Sequence, residues 1–251
     1  MITELIHATG MGHPSGAAAY AAALLIFTKQ TRLEMDGNGF NRCLNMSEEK
    51  REIELAYMAG TIPSSWEFVD LTFLVKGASR ACLQQMTRTR TGSYAMQSQR
   101  VTDQSGCEVV NPYDPDRQTT LFEIFADGHA DANVRYAELL AYGSSKQDAR
   151  GILPINAESS IVCKYNLRSF VELVMARRSL RTQGEYSEII DSMYNHCVSI
   201  WPWSARFFVP KHAAAIELLE PVARRMMEKE ETAKGEGWEI AKAIDLIRKS
   251  T

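Results

Sequence analysis

Residues 77–100, here called the arginine segment, constrain this chain most because they carry several cations and no carboxylate that could neutralise them. In a chain whose net charge is −3, no acidic residue occurs between Asp70 and Asp103. The guanidinium and hydroxyl groups of the segment belong to Arg80, Arg88, Arg90, Arg100, Ser79, Thr87, Thr89, Thr91, Ser93 and Ser98. Because the guanidinium fork binds phosphate bidentately, the segment predicts a phosphate site. The alternative is a solvated basic face that is ion-paired with another part of the chain.

Local periodicity arranges these side chains. A helix is predicted over 79–90, and its two faces carry Arg80, Gln84 and Arg88 on one side and Cys82, Leu83 and Met86 on the other. A Thr-Gly-Ser turn then breaks the helical period. We therefore expect Ser98 and Arg100 to lie in a loop.

The other elements follow from patterns of apolar residues. Strands are predicted over 2–8, 69–75, 107–110 and 160–165, and a loop over 32–45. Helices are predicted over 17–27, 47–58, 117–141, 166–177 and 183–200. Residues 211–251 form a tail with a helix interrupted or kinked at Pro221 and a short last helix.

Bulk composition is that of a globular protein, with 45% hydrophobic and 24% charged residues. A length of 251 residues allows one large domain or two small ones. Because the positive charge is local, nothing predicts a nucleic-acid partner. Five cysteines without a CxxC pair predict reduced thiols and a cytoplasmic location. The apolar run 17–27 is too short to span a bilayer, so no membrane association is expected.

Other catalytic arrangements find no support in the sequence. The five histidines lack the spacing of metal ligands, and no metal site is predicted. The chain has no GxSxG, P-loop or GxGxxG motif, which argues against a hydrolase elbow or a dinucleotide-binding turn.

The arginine segment resembles the signature of the flavin-dependent thymidylate synthases, the ThyX family. That signature reads Arg-His-Arg, then Ser, then Ser-x-Arg, and is usually preceded by Ser-Arg-Ala-Cys. The corresponding positions here are Ser79-Arg80-Ala81-Cys82, Arg88-Thr89-Arg90, Ser93 and Ser98-Gln99-Arg100. A pattern over more than twenty residues is more specific than a short glycine motif. Thr89 in place of the central histidine is the main departure.

This resemblance implies an α+β fold, with a central, mostly antiparallel sheet wrapped by helices. It also implies a homotetramer with active sites at the subunit junctions and FAD bound near each site. The catalytic domain would span 1–208, followed by a helical C-terminal extension over 209–251. In this family reduced flavin transfers the one-carbon unit of methylenetetrahydrofolate to C5 of a uracil nucleotide, and NADPH regenerates the flavin.

Site residues are also implied by the resemblance, position by position. Arg177 and Ser98 would act in catalysis. The nucleotide would be bound by Gln85, Arg88, Met96, Gln97, Ser98, Gln99, Arg100, Arg150 and Arg177. The flavin would be bound by Ser64, Ser65, Glu67, Arg88, Thr89, Arg90, Asn166, Arg168 and Glu172.

Arg177 allows two interpretations. The helical period of the sequence places it on the apolar stripe of the helix that begins near Asn166, where a cation needs hydrogen-bond acceptors. An ion pair with a carboxylate of the same chain would supply them. The resemblance instead implies that Arg177 holds the pyrimidine ring.

Several positions depart from the family pattern. Besides Thr89, these are Phe68 and the region of Thr61, which lack the usual histidines, and Val101, Glu172 and Arg181. The arginines expected to bind the phosphate and the uracil ring remain. We therefore predict the same chemistry with altered contacts to the substrate or the cofactor. The chain resembles divergent ThyX relatives of nucleoside-antibiotic pathways, and we predict a C5-methylase for UMP, dUMP or both. The alternatives are a dUMP-specific thymidylate synthase and a non-catalytic nucleotide-binding relative.

Overall fold

A four-stranded sheet in the order β1-β2-β4-β3 organises the chain. The structure is a computed structural model, and it describes residues 1–31, 38–178, 182, 184–209, 213–228 and 235–249. The strands are β1 (Ile2–Ala8), β2 (Asp70–Ser79), β3 (Ser93–Met96) and β4 (Glu158–Asn166). The predicted strands at 2–8, 69–75 and 160–165 are thereby confirmed.

Neighbouring strands run antiparallel. Where β2 ends and β4 begins, the backbone N–H of Arg80 donates to the carbonyl of Ala157 at 3.1 Å. Beyond the opposite ends of the same strands, the N–H of Leu167 donates to the carbonyl of Val69 at 2.9 Å. β2 and β4 both alternate between buried and partly exposed residues, as expected for strands with one face on a core. The expected mixed fold with an antiparallel sheet is confirmed.

Helices account for most of the remaining described residues. They are α1 (Ala17–Gln30), α2 (Gly39–Leu44), α3 (Glu48–Thr61), α4 (Arg80–Met86), α5 (Thr119–Ala141), α6 (Lys146–Ala149), α7 (Leu167–Arg177), α8 (Gly184–Ile200), α9 (Ala213–Met227) and α10 (Glu236–Lys249). Short 3-10 helices span Pro63–Phe68, Arg150–Ile152 and Pro202–Phe208. No helix in this described part combines the length and apolar character that a membrane span requires.

Three of the predicted elements need correction, and one strand was missed. The helix expected over 79–90 ends at Met86, so Arg88 does not lie on its face. The loop expected over 32–45 contains α2, although 32–37 lie outside the described residues. The strand expected over 107–110 is only a bridge between Val109 and Ala157. Strand β3 was not predicted at all, because four residues are too few for a periodic signal.

The chain divides into two compact units. One comprises residues 1–3 and 74–163, and the other comprises 4–73 and 164–251. Strands β1, β2 and β4 each contain residues of both units. We refer to these parts as the first and the second unit.

Each unit has its own buried residues. In the first unit α4 buries Cys82, Leu83 and Met86, while Tyr136 of α5 is fully buried and its hydroxyl accepts a hydrogen bond from the Gln104 N–H at 3.2 Å. In the second unit the ring of Phe170 on α7 is fully buried. Its ring centroid lies 5.6 Å from that of Phe73 and 5.8 Å from that of Phe208.

Helices α9 and α10 form a hairpin, here called the C-terminal hairpin, within the second unit. The two helices bury a small apolar cluster made of Ile216, Ala223, Ala241 and Ile244. Pro221 lies inside α9, so the helix is not interrupted there, and the alternative of a kink at Pro221 stays a prediction. α10 also contacts α7, which brings the hairpin to the helix on which several predicted site residues lie.

Thiol accessibility provides a test of this packing. Cys43, Cys82, Cys163 and Cys197 are buried and only Cys107 is half-buried. Burial raises the pKa of Cys197 to about 12, so its reactive thiolate is nearly absent at neutral pH. We expect an aromatic disulfide reagent at pH 8 to modify Cys107 alone in the native protein and all five thiols in denaturant. Cys107→Ser should abolish the native reaction, and rapid modification of any other thiol would contradict the packing.

Candidate functional site

The arginine segment begins where β2 gives way to α4. Gly77, two residues before the end of β2, has a φ of 69°, a left-handed conformation that favours glycine. Ser79 then caps α4, because its Oγ accepts a hydrogen bond from the N–H of Cys82 at 3.0 Å. This local chemistry fixes the point at which the segment leaves the sheet.

Gln147 of α6 brings two predicted nucleotide residues together. Its side-chain Oε1 accepts a hydrogen bond from Nε of Arg100 at 2.8 Å. Its backbone carbonyl accepts one from Nε of Arg150 at 3.1 Å. Arg100 and Arg150, which are fifty positions apart in the sequence, therefore belong to one cationic group.

Arg80 is a third member of this group, although it is not among the site residues predicted from the sequence. Burial and then the positive charge of Arg150 lower the pKa of the Arg80 guanidinium below its usual value. Its Nη1 atom is buried and has no hydrogen-bond partner. The signal that could have found Arg80 is its place in the arginine segment, where it is the first cation after the Ser79 cap.

These cations are not neutralised by the described part of the chain. Within the described residues no carboxylate lies within ion-pair distance of the guanidinium groups of Arg80, Arg88, Arg90, Arg100 and Arg150. The alternative of a basic face ion-paired with another part of the chain is thus not found there. Like charges held close together favour an anion among them, since it relieves their repulsion.

Four other predicted nucleotide residues, Met96, Gln97, Ser98 and Gln99, lie at the end of strand β3 and just after it. The N–H of Gln97, just after β3, donates to the carbonyl of Ser160 in β4 at 2.9 Å. Ser98 is exposed and its Oγ accepts a hydrogen bond from the Arg100 N–H at 3.3 Å. Gln99 is only 5% exposed and its Nε2 has no partner. Ser98 and Arg100 lie outside regular elements, which confirms the predicted loop. Gln85 is half-buried in α4 and Met96 ends β3.

In the second unit, predicted flavin residues form an ion-paired group. Nη1 of Arg168 lies 2.8 Å from Oε1 of Glu67, and its Nε lies 3.3 Å from Oε1 of Glu172. Hydrogen bonds to Glu67 and then to Glu172 raise the pKa of the Arg168 guanidinium. All three side chains are about half exposed, so the pairs orient the groups more than they stabilise the fold.

Other predicted flavin residues have local structural roles. Asn166 caps α7, because its Oδ1 accepts a hydrogen bond from the N–H of Ser169 at 2.9 Å. Ser65 is 1% exposed and its Oγ has no partner, whereas Ser64 is exposed. Thr89 accepts a hydrogen bond at its backbone carbonyl from the Tyr94 hydroxyl at 2.8 Å, in the first unit.

A cavity of about 710 Å³ lies beside α7 in the second unit. One wall is formed by the face of α7 that carries Arg168, Glu172, Met175 and Ala176. The other lining residues are Ala59, Gly60, Pro63, Trp66, Val171, Arg206, Phe207, Val209 and Arg248. Trp66 and Phe207 pack edge to face, with ring centroids 4.8 Å apart. Its size and mixed lining are typical of a pocket for an organic ligand.

Arg177 ends α7 and is half-buried. Its guanidinium carbon lies 5.3 Å from the centre of the Tyr186 ring on α8. Among the described residues no carboxylate pairs with it, so the alternative of an ion pair with the chain's own acid is not found there. An aromatic face orients a cation without neutralising it, which leaves the donors of Arg177 available to a ligand.

Comparison with known proteins decides the family. The family model described as "Thymidylate synthase complementing protein" matches residues 4–203. The chain belongs to this family. The arginine segment, Arg150, Arg168 and Arg177 all lie inside the matched range, whereas the C-terminal hairpin lies outside it.

Several similar curated proteins carry the name flavin-dependent thymidylate synthase. The relative from Nitratidesulfovibrio vulgaris is 32% identical over 167 residues, which cover 62% of this chain and 68% of the relative. The relative from Haloarcula marismortui is 30% identical over 191 residues, which cover 65% of this chain and 74% of the relative. The relative from Pyrococcus abyssi is 35% identical over 127 residues, which cover 49% of this chain and 52% of the relative.

A solved structure shares the fold of this family member. It is a UMP/dUMP methylase, PolB, from Streptomyces cacaoi bound with 5-Br dUMP. The match has a TM-score of 0.65 and 16% sequence identity, and it covers 82% of this chain and 94% of the other. At this identity the likeness establishes the architecture of the sheet and helices, and the roles of individual side chains have to be argued from their own contacts.

Proposed function

We propose that this protein is a flavin-dependent uridylate methyltransferase that methylates C5 of UMP, dUMP or both. Methylenetetrahydrofolate is the one-carbon donor and NADPH the reductant. The observation that carries the proposal is the group of arginines around Gln147, which lacks carboxylate partners among the described residues and lies in the family-matched range. Such a group suits the phosphate of a nucleotide.

FAD is the cofactor that this function requires, and residues of the second unit fit it. The cavity beside α7 has aromatic and aliphatic walls for a flat ring system and an arginine for a phosphate or carbonyl group. Arg168, held by Glu67 and Glu172, would contact the cofactor there, and Ser65 has an unused buried hydroxyl nearby in sequence. Contacts from Ser64, Arg88, Thr89, Arg90 and Asn166 stay predictions. When bound, the flavin supplies the redox chemistry of the methyl transfer.

Arg177 is proposed to bind the carbonyl edge of the pyrimidine. When C5 attacks the one-carbon unit, electron density moves onto the ring carbonyl oxygens, and a fixed cation stabilises that charge. The ring of Tyr186 holds Arg177 in one orientation without cancelling its charge. Ser98 is proposed as a hydrogen-bonding group near the nucleotide.

A second set of nucleotide contacts is proposed at the phosphate group. Arg100 and Arg150 would bind the phosphate, and Gln147 would orient both guanidinium groups by accepting a hydrogen bond from each. Further nucleotide contacts are proposed for Gln85, Arg88, Met96, Gln97 and Gln99. We also propose a cytoplasmic homotetramer, with a catalytic domain over 1–208 and an extension over 209–251.

A product assay tests the function. Purified protein is supplied with FAD, NADPH, methylenetetrahydrofolate and either UMP or dUMP, and the nucleotide is analysed by mass spectrometry. We expect a gain of one methyl group, with a mass increase of about 14 Da, on at least one nucleotide, because all groups that the reaction needs are provided.

Three outcomes separate the alternatives. Turnover of UMP supports the broader methylase, and turnover of dUMP alone supports a dUMP-specific synthase. A colourless protein that takes up no FAD and methylates neither nucleotide would contradict the proposal and favour a nucleotide-binding relative. Denatured protein serves as the control for chemical methylation.

A further inference from the structure

The C-terminal hairpin reaches the end of α7 through one side chain. Nη1 of Arg248 on α10 donates a hydrogen bond to the backbone carbonyl of Arg178 at 2.8 Å. Arg178 is the residue that follows Arg177 and caps α7. The contact therefore lies one residue away from the proposed pyrimidine-binding cation.

Arg248 is itself held firmly in place. Nη2 of its guanidinium lies 2.9 Å from Oε2 of Glu220 on α9, and Nη1 lies 3.9 Å from Oδ1 of Asp245. Its side chain is only 10% exposed. The apolar cluster between α9 and α10 supports the helices that carry these three groups.

This arrangement suits the chemistry of a helix end. The last carbonyls of a helix have no partner within the helix, and the C-terminus carries partial negative charge. A buried guanidinium that binds such a carbonyl satisfies it and fixes the last turn. The side chain of Arg178 lies 2.9 Å from Asp191 of α8, but this pair is half exposed and adds little to the anchoring of the helix end.

We infer that Arg248 is a positioning residue for Arg177, so that the C-terminal hairpin controls the affinity for the nucleotide. The inference rests on the proposed function, because it takes Arg177 as a nucleotide ligand. It assigns a role to a segment outside the range that the family model matches. Arg248 also lines the cavity beside α7, whereas the flavin contacts proposed there are Arg168 and Glu172.

The test replaces Arg248 by methionine, which keeps the apolar stem and removes the donors. Binding of dUMP is measured by calorimetry, and flavin content, KM and kcat are measured on the same samples. We expect kcat/KM for dUMP to fall about tenfold and the dUMP Kd to rise, because Arg177 loses the contact that positions it, while flavin content changes less than about twofold. Arg248→Lys should restore part of the affinity.

Controls separate positioning from general damage. Lys242→Met on the exposed side of α10 should leave all four quantities unchanged. Glu220→Gln removes the charge that holds Arg248, and it should raise the Kd about threefold even if Arg248→Met does not fold. Unchanged dUMP affinity in both variants, or a parallel fall of flavin content, kcat and affinity, would overturn the inference. Failure of the wild-type protein to turn over any nucleotide would instead refute the proposed function.

Discussion

Replacing Arg177 by alanine is expected to lower kcat/KM for the nucleotide by about a hundred- to a thousandfold. The reason is that the guanidinium is proposed to stabilise charge that forms only as C5 becomes nucleophilic. Tyr186 orients the group, and no described carboxylate competes for it. Flavin content should change less than about threefold, since Arg177 is not among the predicted flavin residues.

The neighbouring arginine provides a matched control for this variant. Arg178→Ala removes an equal charge from the same helix end, and it leaves in place the backbone carbonyl that Arg248 binds. Its pair with Asp191 is half exposed, so we expect less than about a threefold change in kcat/KM. Steady-state rates and the absorbance of bound flavin measure both quantities. Small and equal losses of turnover and flavin in Arg177→Ala would contradict its assigned role.

Phe170→Ala is expected to lower the free energy of unfolding by about 3–5 kcal/mol. Phe170 lies at the base of α7, and its ring packs against Phe73, Tyr165 and Phe208 at centroid distances of 5.6, 6.0 and 5.8 Å. Alanine would leave a cavity that these large rings cannot fill. Because α7 carries Arg168, Glu172 and Arg177, flavin and nucleotide binding should also weaken.

Two further substitutions calibrate the result. Phe170→Leu retains most of the volume and should cost about 1 kcal/mol. Phe68→Ala removes a ring that is 58% exposed and should leave stability nearly unchanged. Denaturant midpoints with fitted slopes measure all three variants. If Phe170→Ala lowers the free energy of unfolding by less than about 1 kcal/mol, the packing of this ring does not stabilise α7 as argued.

The sequence predicted those elements whose signal is local. Alternation along β2 and β4 and the helical periods of α1, α3, α5, α7 and α8 are read from neighbouring residues, and these elements are confirmed. The helix of the arginine segment was predicted one turn too long. Its run of β-branched threonines and arginines after Met86 offers no apolar stripe to bury, and the chain leaves the helix at Thr87. Strand β3 depends on pairing with a strand more than sixty residues away, so no local pattern announces it.

The candidate site divides in the same way. The density of arginines in one segment is a local signal, and the family match supports its importance. The bridge from Arg100 through Gln147 to Arg150, and the closeness of Arg80 to Arg150, depend on how distant segments fold together. Arg248 lies in a segment with no recognised motif, and only its contacts with Arg178 and Glu220 draw attention to it.

The strands β1, β2 and β4 each contain residues of both units, and this arrangement limits how such a protein can recombine during evolution. A crossover inside β1, β2 or β4 would join half a strand from one parent to half from another, and it would mismatch side chains on both faces of the ladder. Exchange between homologous genes should therefore transfer the part up to β4 as a block. The C-terminal hairpin begins after the last of these strands, so exchange of the hairpin would leave every strand pairing of the sheet intact.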